Sequence, residues 1–459
     1  MSNPDPATLP PHDPYAALRS VNFRRYVVGL IANTVGEQMV EAAVAWDLYA
    51  RTKDPMSLFW VGLIIALIVI VMAIPAGNLA DRLPRRSIVI VTQICAMGAI
   101  FGLALASWAN ASVGLIYLMV AAAALCKAIG SPARSAWLPT LVPRRTFANA
   151  VSWQSSGFQI AATFGPAIAG FLIVRTAAPA YFVAAVTAGF FAVMALFIDP
   201  RRSPVDDASP AVPSNSQTTI KPQTLDYAPA RERRLDTLLA GARFVYSTKI
   251  ILATITLDLF AVLLGGATYL LPIYARDILK VGPHGYGYLR AAPAIGAVTM
   301  AMVVAHSRPI KHAGRAMLLA VAGFGAATIV FGLSHNFWLS LIMLFLTGAL
   351  DNISVLVRHT LVQVLTPDAM RGRVSAINSV FISSSNELGG AESAATAKLF
   401  GAVPAVVIGG IGTLVTVIAV AITWPQVRRF GALHDAKPME TPQSESLIGG
   451  HEPDIEPYA

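Results

Sequence analysis

The stretch that decides the fold is a polar run between two long apolar segments, Gly77-Asn78-Leu79-Ala80-Asp81-Arg82-Leu83-Pro84-Arg85-Arg86. A helix within hydrocarbon cannot easily carry an aspartate and three arginines, so the run predicts a short loop at a membrane surface. Gly77 lets its segment approach a neighbouring helix closely. Asp81 can accept charge-assisted hydrogen bonds from a helix end or an arginine. Arg82, Arg85 and Arg86 are expected to hold the loop on the cytoplasmic side.

The spacing of this run resembles the loop between spans 2 and 3 of the major facilitator superfamily, Gly-x-Leu-Ala-Asp-Arg-x-Gly-Arg-(Arg/Lys). Pro84 stands where that family usually has glycine. The resemblance implies twelve transmembrane helices in two pseudo-symmetric six-helix halves, with the substrate path between them. It also implies a secondary active transporter that works by alternating access and needs no cofactor.

Composition agrees with the all-α membrane protein that the resemblance implies. Of 459 residues, 55% are hydrophobic and 13% are charged, whereas soluble domains have about 25% charged residues. The net charge of +9 comes from basic residues between apolar segments, which indicates membrane topology and anionic lipid rather than a nucleic-acid partner. Cys95 and Cys126 lie inside apolar segments without metal-ligand spacing, so they are interpreted as packing residues.

Hydropathy predicts about twelve segments near the length of about 20 residues that a bilayer requires. They span residues 24–48, 58–79, 87–108, 113–136, 149–174, 179–198, 247–275, 286–306, 315–334, 337–358, 375–399 and 403–424. Arginine and lysine follow the even-numbered segments, and the alternate loops have few charges. Both termini are therefore expected to be cytoplasmic, in a multi-pass protein of a bacterial-type plasma (inner) membrane. The proline-rich start of the chain shows no signal-peptide pattern.

The predicted organisation is two echoing halves joined by a polar linker. We expect a cytoplasmic N-terminal segment, a first six-helix half, a linker with a surface helix, a second six-helix half and a cytoplasmic tail. Their respective bounds are residues 1–23, 24–199, 200–243, 244–424 and 425–459. Tyr49-Ala50-Arg51 recurs as Tyr274-Ala275-Arg276, 225 residues later and at a matching place. The second copy of the polar run, at residues 306–315, has lost its leading glycine and its acid.

The fifth segment contains Gly165-Pro166-Ala167-Ile168-Ala169-Gly170. Proline removes a helix hydrogen bond and glycine permits close packing, so this segment can bend and seal against a neighbour. The run resembles the Gly-Pro-x-x-Gly-Gly element of superfamily antiporters, although an ordinary helix kink would also explain it. The run Ser131-Pro132-Ala133-Arg134 looks like the branch that contains enterobactin and macrolide exporters. These resemblances favour export.

Charged side chains at membrane depth are the candidate site, because each needs a partner, water or a role. The candidates are Glu37, Glu41, Lys127, Asp258, Asp351 and Glu387. In the family, spans 1, 4, 7 and 10 line the cavity, so the resemblance places several of them there. Arg134 looks like the family's span-4 arginine with an influence on proton release, or else it is a positive-inside anchor.

Two carboxylates one helical turn apart in a low dielectric cannot both ionise cheaply, so one can take up a proton. Glu37, Glu41 and Asp258 are the first candidates for proton coupling, followed by Asp351 and Glu387. The alternatives are structural: Glu37 or Glu41 could neutralise Lys127, and Glu387 could cap a packed helix contact.

The sequence therefore predicts a monomeric proton antiporter that exports a small amphipathic molecule. A proton-coupled importer of the same fold and a non-transporting membrane scaffold are the alternatives. No nucleophile–base pair, histidine metal motif or phosphate-binding glycine loop points to an enzyme or to ATP-driven transport. Acids in the cavity favour cationic or amphipathic drugs, whereas Lys127 suits an anionic or zwitterionic metabolite such as a siderophore.

Overall fold

The computed structural model describes residues 13–173, 175–199, 243–307 and 311–431, and within these ranges it is helical with no strand. Within the described ranges, twelve helices have 16 residues or more. They are α1 (Val21–Thr52), α2 (Met56–Arg82), α3 (Arg85–Trp108), α4 (Val113–Trp137), α5 (Phe147–Leu172), α6 (Ala178–Leu196), α7 (Lys249–Leu264), α8 (Gly282–His306), α9 (Ala313–Leu333), α10 (Phe337–Leu365), α11 (Asp368–Phe400) and α12 (Ala402–Thr423). The all-α prediction is confirmed. The predicted linker and most of its surface helix lie outside the described residues.

Nine candidate spans within the described ranges are long and apolar enough to cross a bilayer. The remaining long helices, α1, α5 and α11, are more polar. The polarity of α1 and α11 comes from charged residues, and that of α5 comes from Ser, Gln, Gly and Pro. Their place in the bundle supports the prediction that these three helices also cross the membrane. Helix α1 packs between α5 and α6, and α11 packs on α2.

The seventh segment is not one continuous α-helix as predicted. After α7 ends at Leu264, the chain continues through a 3₁₀ turn at Ala267–Leu270, a short α-helical turn and a π-helical turn at Tyr274–Ile278. Gly265 and Gly266 lie at the break, where glycine loses little by leaving the helix. A Cβ on Gly266 would lie 2.9 Å from the Gly389 carbonyl oxygen of α11. The break therefore lets the chain approach the α11 backbone closely.

The polar run between α2 and α3 is also shorter as a loop than predicted. Helix α2 continues through Arg82 and α3 begins at Arg85, so only Leu83 and Pro84 separate the two helices. Long charged side chains can reach water from a helix end, so the end turns need not unwind. Pro84 fits the break because proline cannot continue the preceding helix.

The helices pack as two six-helix halves, α1–α6 and α7–α12. The main contacts between the halves are α2 against α11 and α5 against α8. On these surfaces Gly62 of α2 faces the Glu387 backbone, and Gly287 of α8 faces Gly170. Gly62 and Gly287 are 225 residues apart. The two contact surfaces are therefore pseudo-symmetric copies, in agreement with the predicted internal repeat.

The two ends of the bundle are packed differently. At the end that carries the α1–α2 turn, which we name the sealed end, one apolar core combines residues of both halves, including Met39, Leu48, Tyr274 and Tyr286. At the opposite end, which we name the split end, each half has a core of its own. Among the described residues, the halves thus share one core at the sealed end and have separate cores at the split end, and we name the region between the halves the cleft.

Candidate transport cleft

The first half lines the cleft with an acid shared by two cations. Glu37 of α1 lies 3.3 Å from Lys127 Nζ and 3.1 Å from Arg134 Nη1, both of α4. Asn33 donates to the same carboxylate at 2.8 Å, and Tyr26 donates to the Arg134 carbonyl oxygen at 3.0 Å. Lys127 is 60% exposed although it lies in the middle of its helix. The structural alternative for Glu37, neutralisation of Lys127, is the arrangement observed.

Glu41 has a partner in the other half. One turn beyond Glu37 on α1, its carboxylate forms an ion pair with Arg290 of α8. Arg290 also donates to the Thr268 carbonyl oxygen at 3.1 Å, next to the break after α7. An arginine with two such acceptors is held in one direction, since its guanidinium donors are fixed in a plane. The Glu41–Arg290 pair therefore ties the halves together at the inner limit of the cleft.

Asp258 of α7 is paired and buried within the second half. Its carboxylate forms an ion pair with Arg358 of α10, and the two side chains are 9% and 4% exposed. The pair lies in the core that the second half forms at the split end. A charge pair this far from water needs both members, because removing one leaves the other unpaired.

Asp351 of α10 and Glu387 of α11 differ from the other acids. Both are partly exposed, and within the described part of the chain neither carboxylate has a hydrogen bond or an ion pair. Glu387 lies within electrostatic range of Glu41, Lys127 and Arg290, and so faces the same centre. The structure thus brings together four predicted residues, Glu37, Glu41, Lys127 and Glu387, together with Arg134. Among the described residues, Asp351 is not linked to this group by any ion pair.

Sequence reasoning missed Arg290 and Arg358 as partners. A signal for Arg358 was present, because it lies 224 residues after Arg134, close to the repeat offset of 225. Arg290 could have been found by applying to basic residues the argument used for the acids, since a cation inside an apolar segment is equally costly.

Residues of the polar run between α2 and α3 cap neighbouring helices at the split end. Arg85 donates to the Ala136 carbonyl oxygen of α4 at 2.8 Å. Arg86 donates to the carbonyl oxygens of Ala195 and Leu196 of α6 at 3.2 and 2.7 Å. Basic side chains at helix carboxyl ends satisfy unpaired carbonyls and complement the helix dipole. Gly77, Asp81 and Arg82 lie in the last turns of α2, where Asp81 and Arg82 are exposed.

The glycines of α5 permit two close contacts. A Cβ on Gly165 would lie 2.9 Å from the Val35 carbonyl oxygen of α1. A Cβ on Gly170 would lie 2.7 Å from Gly287 Cα and 2.7 Å from the Pro283 carbonyl oxygen, both of α8. Pro166 lies between the two glycines inside a continuous helix. Helix α5 therefore packs within its own half through one glycine and against the other half through the second.

Comparison with known proteins agrees with this architecture. Structures of comparable fold include a peptide-transporter (POT) family member in complex with 5-aminolevulinic acid, with a TM-score of 0.67, 12% identity and coverage of 88% of this chain and 96% of that chain. A bacterial homologue of the human lysosomal transporter Spinster, in an inward-facing and occupied conformation, gives a TM-score of 0.65 at 14% identity, covering 91% and 99%. The nucleoside transporter NupG gives 0.63 at 11% identity, covering 88% and 99%. The fold is that of a major facilitator-type membrane transporter.

The chain belongs to the transmembrane secretion effector family, which it matches over residues 12–448. Among curated relatives, the enterobactin exporters EntS of Shigella boydii serotype 18 (strain CDC 3083-94 / BS512) and Escherichia coli O81 (strain ED1a) are each 27% identical over 427 residues. In both cases the alignment covers 91% of this chain and 94% of the relative. The resemblance stated from the sequence is confirmed.

Proposed function

We propose that this protein exports a small amphipathic molecule, either a drug or a siderophore-like metabolite, in exchange for protons. It would act as a monomer in a bacterial inner membrane, with both termini cytoplasmic and the split end toward the cytoplasm. The family match and the enterobactin exporters among its relatives support export. A bundle joined at one end and parted at the other corresponds to one of the two states that alternating access requires.

The observation that carries the coupling proposal is the Glu41–Arg290 ion pair. Of the three acids predicted first for coupling, Glu41 is the one whose cation belongs to the other half, whereas Glu37 and Asp258 are paired within their own halves. Only an ion pair between the halves must break when the sealed end opens. Its acid therefore has a different electrostatic environment in the two states.

The proposed cycle follows from that difference. Substrate entering from the split end competes for the charged groups of the cleft and favours parting of the sealed end. Glu41 then loses Arg290, and an isolated carboxylate in a low dielectric takes up a proton from outside. When the halves close again, Arg290 returns and favours the charged form of the acid, which releases its proton toward the cytoplasm.

The test compares the three acids in inside-out membrane vesicles. The substrate would first be identified by an untargeted comparison of compounds retained by cells with and without the protein. Glu41→Gln should abolish proton-driven uptake into the vesicles but preserve downhill exchange, because an amide cannot change its protonation. Glu37→Gln should retain coupling, and Asp258→Asn should chiefly lower the amount of folded protein. Full proton-driven transport by Glu41→Gln would place coupling elsewhere, with Asp351 and Glu387 next.

Direction and topology have separate tests. A cysteine introduced at Ser112 should react with an impermeant reagent from outside intact cells, whereas a cysteine at Ser216 should not. The reverse pattern would invert the proposed orientation. Accumulation of the identified substrate in intact cells should rise when an uncoupler is added; a fall would indicate the alternative, a proton-coupled importer. If the protein is a non-transporting scaffold, the uncoupler should neither raise nor lower the accumulation that depends on the protein.

A further inference from the structure

The repeated Tyr-Ala-Arg sequence makes different hydrogen bonds in the two halves. Ser107 and Gly332 lie at equivalent places, 225 residues apart, near the sealed-end termini of α3 and α9. In the first half, Arg51 donates to the Ser107 carbonyl oxygen at 3.1 Å. In the second half, the hydroxyl of Tyr274 donates to the Gly332 carbonyl oxygen at 2.8 Å. The arginine of one copy and the tyrosine of the other therefore cap equivalent helix ends.

The difference comes from the residue four positions before the arginine. In the first half this residue is Asp47, which accepts from Arg51 Nε at 2.7 Å, and Arg51 also donates to the Ala111 carbonyl oxygen at 3.1 Å. These contacts direct its planar guanidinium at the end of α3. Pro272 stands at the equivalent place in the second half, and a proline side chain cannot accept a hydrogen bond. The cap on α9 is therefore left to the tyrosine of the second copy.

Because Arg51 makes the cap on α3, the hydroxyl of Tyr49 can bond to the other half. It donates to the carboxylate of Asp277, although Tyr49 itself is only 5% exposed. The residue of the first half that is equivalent to Asp277 is Thr52, whose hydroxyl donates to the Leu48 carbonyl oxygen of its own helix at 2.8 Å. An acid stands at this position in the second half and not in the first. The bond between tyrosine and acid therefore forms once across the sealed end.

This bond lies outward of the Glu41–Arg290 pair. Tyr49 is eight residues beyond Glu41 on α1, which is about 12 Å along the helix toward the sealed end. The Asp54–Lys398 pair also crosses the halves there, but its side chains are 38% and 48% exposed, which limits its strength. A bond from a buried hydroxyl to a carboxylate is charge-assisted. If it breaks without replacement, the hydroxyl loses its partner at a substantial cost.

We propose that the hydrogen bond between Tyr49 and Asp277 is a latch, which holds the halves together at the sealed end and sets how often that end opens. The proposal rests on the proposed function in that it takes parting of the sealed end to be a step of transport. Because the two residues belong to different halves, their bond must break at that step. Both are positioning residues, which act through the balance between closed and open states rather than by touching the substrate.

A distance across the sealed end measures this balance. Cys95 and Cys126 would be replaced by serine, and spin-labelled cysteines would be introduced at Ser112 and His335. Both positions are exposed and lie in sealed-end turns, before α4 in the first half and before α10 in the second. Electron paramagnetic resonance then gives the distance between the labels in the purified full-length protein in lipid nanodiscs, without substrate or gradient. The parent should show chiefly the short distance of the closed arrangement.

The variants compare two tyrosines at equivalent positions. Tyr49→Phe should raise the ratio of long to short distances by at least about tenfold, because the closed state alone loses a hydrogen bond to a charged group. Asp277→Ala should act similarly, and the double variant should open no further than the more open single variant. Tyr274→Phe is the matched control, since its hydroxyl bonds to Gly332 within one half. It should lower the unfolding temperature but keep the distance distribution of the parent.

Any of three results would overturn the proposal. The first is a Tyr49→Phe variant that keeps the distance distribution of the parent. The second is a Tyr274→Phe variant that opens the sealed end as much as Tyr49→Phe does. The third is full additivity of Tyr49→Phe and Asp277→Ala, which would mean that the two side chains act separately.

Thermal unfolding of each variant verifies folding, and Asp277→Asn, which keeps a neutral acceptor, replaces Asp277→Ala if the latter is unfolded. Asp277→Asn should open the sealed end less than Tyr49→Phe does, because an amide oxygen still accepts a hydrogen bond. The measurement uses neither substrate nor proton gradient. A failed latch would therefore leave the vesicle tests of coupling unaffected, and full proton-driven transport by Glu41→Gln would leave the latch unaffected.

Discussion

The two halves share one helical plan but use charge differently. In the first half the acid of α1 is partly exposed, 23% for Glu37, and it is shared by two cations of α4. In the second half the corresponding pair, Asp258 and Arg358, is buried in a core of its own. The two halves therefore repeat the arrangement of helices but not the arrangement of charges. The first half keeps its charges partly exposed, whereas the second buries one pair and leaves Asp351 and Glu387 without an ion pair among the described residues.

The largest expected effect is on stability and compares the cations of the two helices. Arg358→Met should strand Asp258 in the core and cost about 3–5 kcal/mol, the usual result of breaking a buried pair. Lys127→Met removes a mostly exposed cation and should cost about 1 kcal/mol or less. Thermal unfolding of the detergent-solubilised variants measures both. Equal losses of stability would remove the proposed difference between the halves.

The second expected effect concerns the contact surface between α5 and α8, compared with an open position on α3. Gly170→Leu should disrupt the sealed end, because even a Cβ there would lie 2.7 Å from the backbone of α8. We expect transport to fall by about tenfold or more, as overpacking shifts the bundle away from the closed arrangement. Gly98→Leu is the control, since its Cβ would meet no atom within 4 Å. Cysteine accessibility next to Gly287 reports opening, and unchanged accessibility with full transport would contradict the assignment.

The third effect compares the polar run at residues 77–86 with its degenerate copy at residues 306–315. Asp81→Asn should reduce transport several-fold while protein level stays near normal, because it removes a charge contact of one conformational state. Ser307→Ala, in the copy that lacks an acid, should have little effect. Initial transport rates, normalised to the amount of protein in the membrane, decide this. Wild-type rates for Asp81→Asn would show that the run has no gating role.

The smallest effect is expected at the surface of the sealed end, where Asp54 lies 3.1 Å from Lys398 across the halves. The backbone N–H of Met56, followed by Lys398, holds the pKa of Asp54 below its usual range. A lowered pKa in the folded state gives a contribution that is present near neutral pH and lost only as pH falls through that lowered value. Asp54→Asn should therefore lower the unfolding temperature slightly near neutral pH, and a pH-independent difference down to strongly acidic pH would argue against the ion pair.

Much of the fold followed from the sequence. The polar run at residues 77–86, the apolar segments and the repeated Tyr-Ala-Arg predicted a helical membrane protein with two echoing halves, because hydrocarbon permits few other arrangements of such a chain. The sequence predicted helix boundaries less well where neighbouring helices pack against the chain. The polar run at residues 77–86 stays helical nearly to Pro84. The seventh segment breaks at Gly265 and Gly266, where Gly266 packs closely against α11.

The candidate site divides in the same way. The sequence by itself identified the acids and Lys127 as charged residues inside apolar segments, because their cost in hydrocarbon is a property of the residue and its apolar neighbours, although it passed over Arg290 and Arg358. Only the tertiary structure decided that Glu37 pairs within its half, that Glu41 pairs across the halves and that Asp351 has no partner among the described residues. Pairing depends on distances between helices far apart in the chain. A linear pattern does not encode those distances, because each partner is chosen by the packing of the whole bundle.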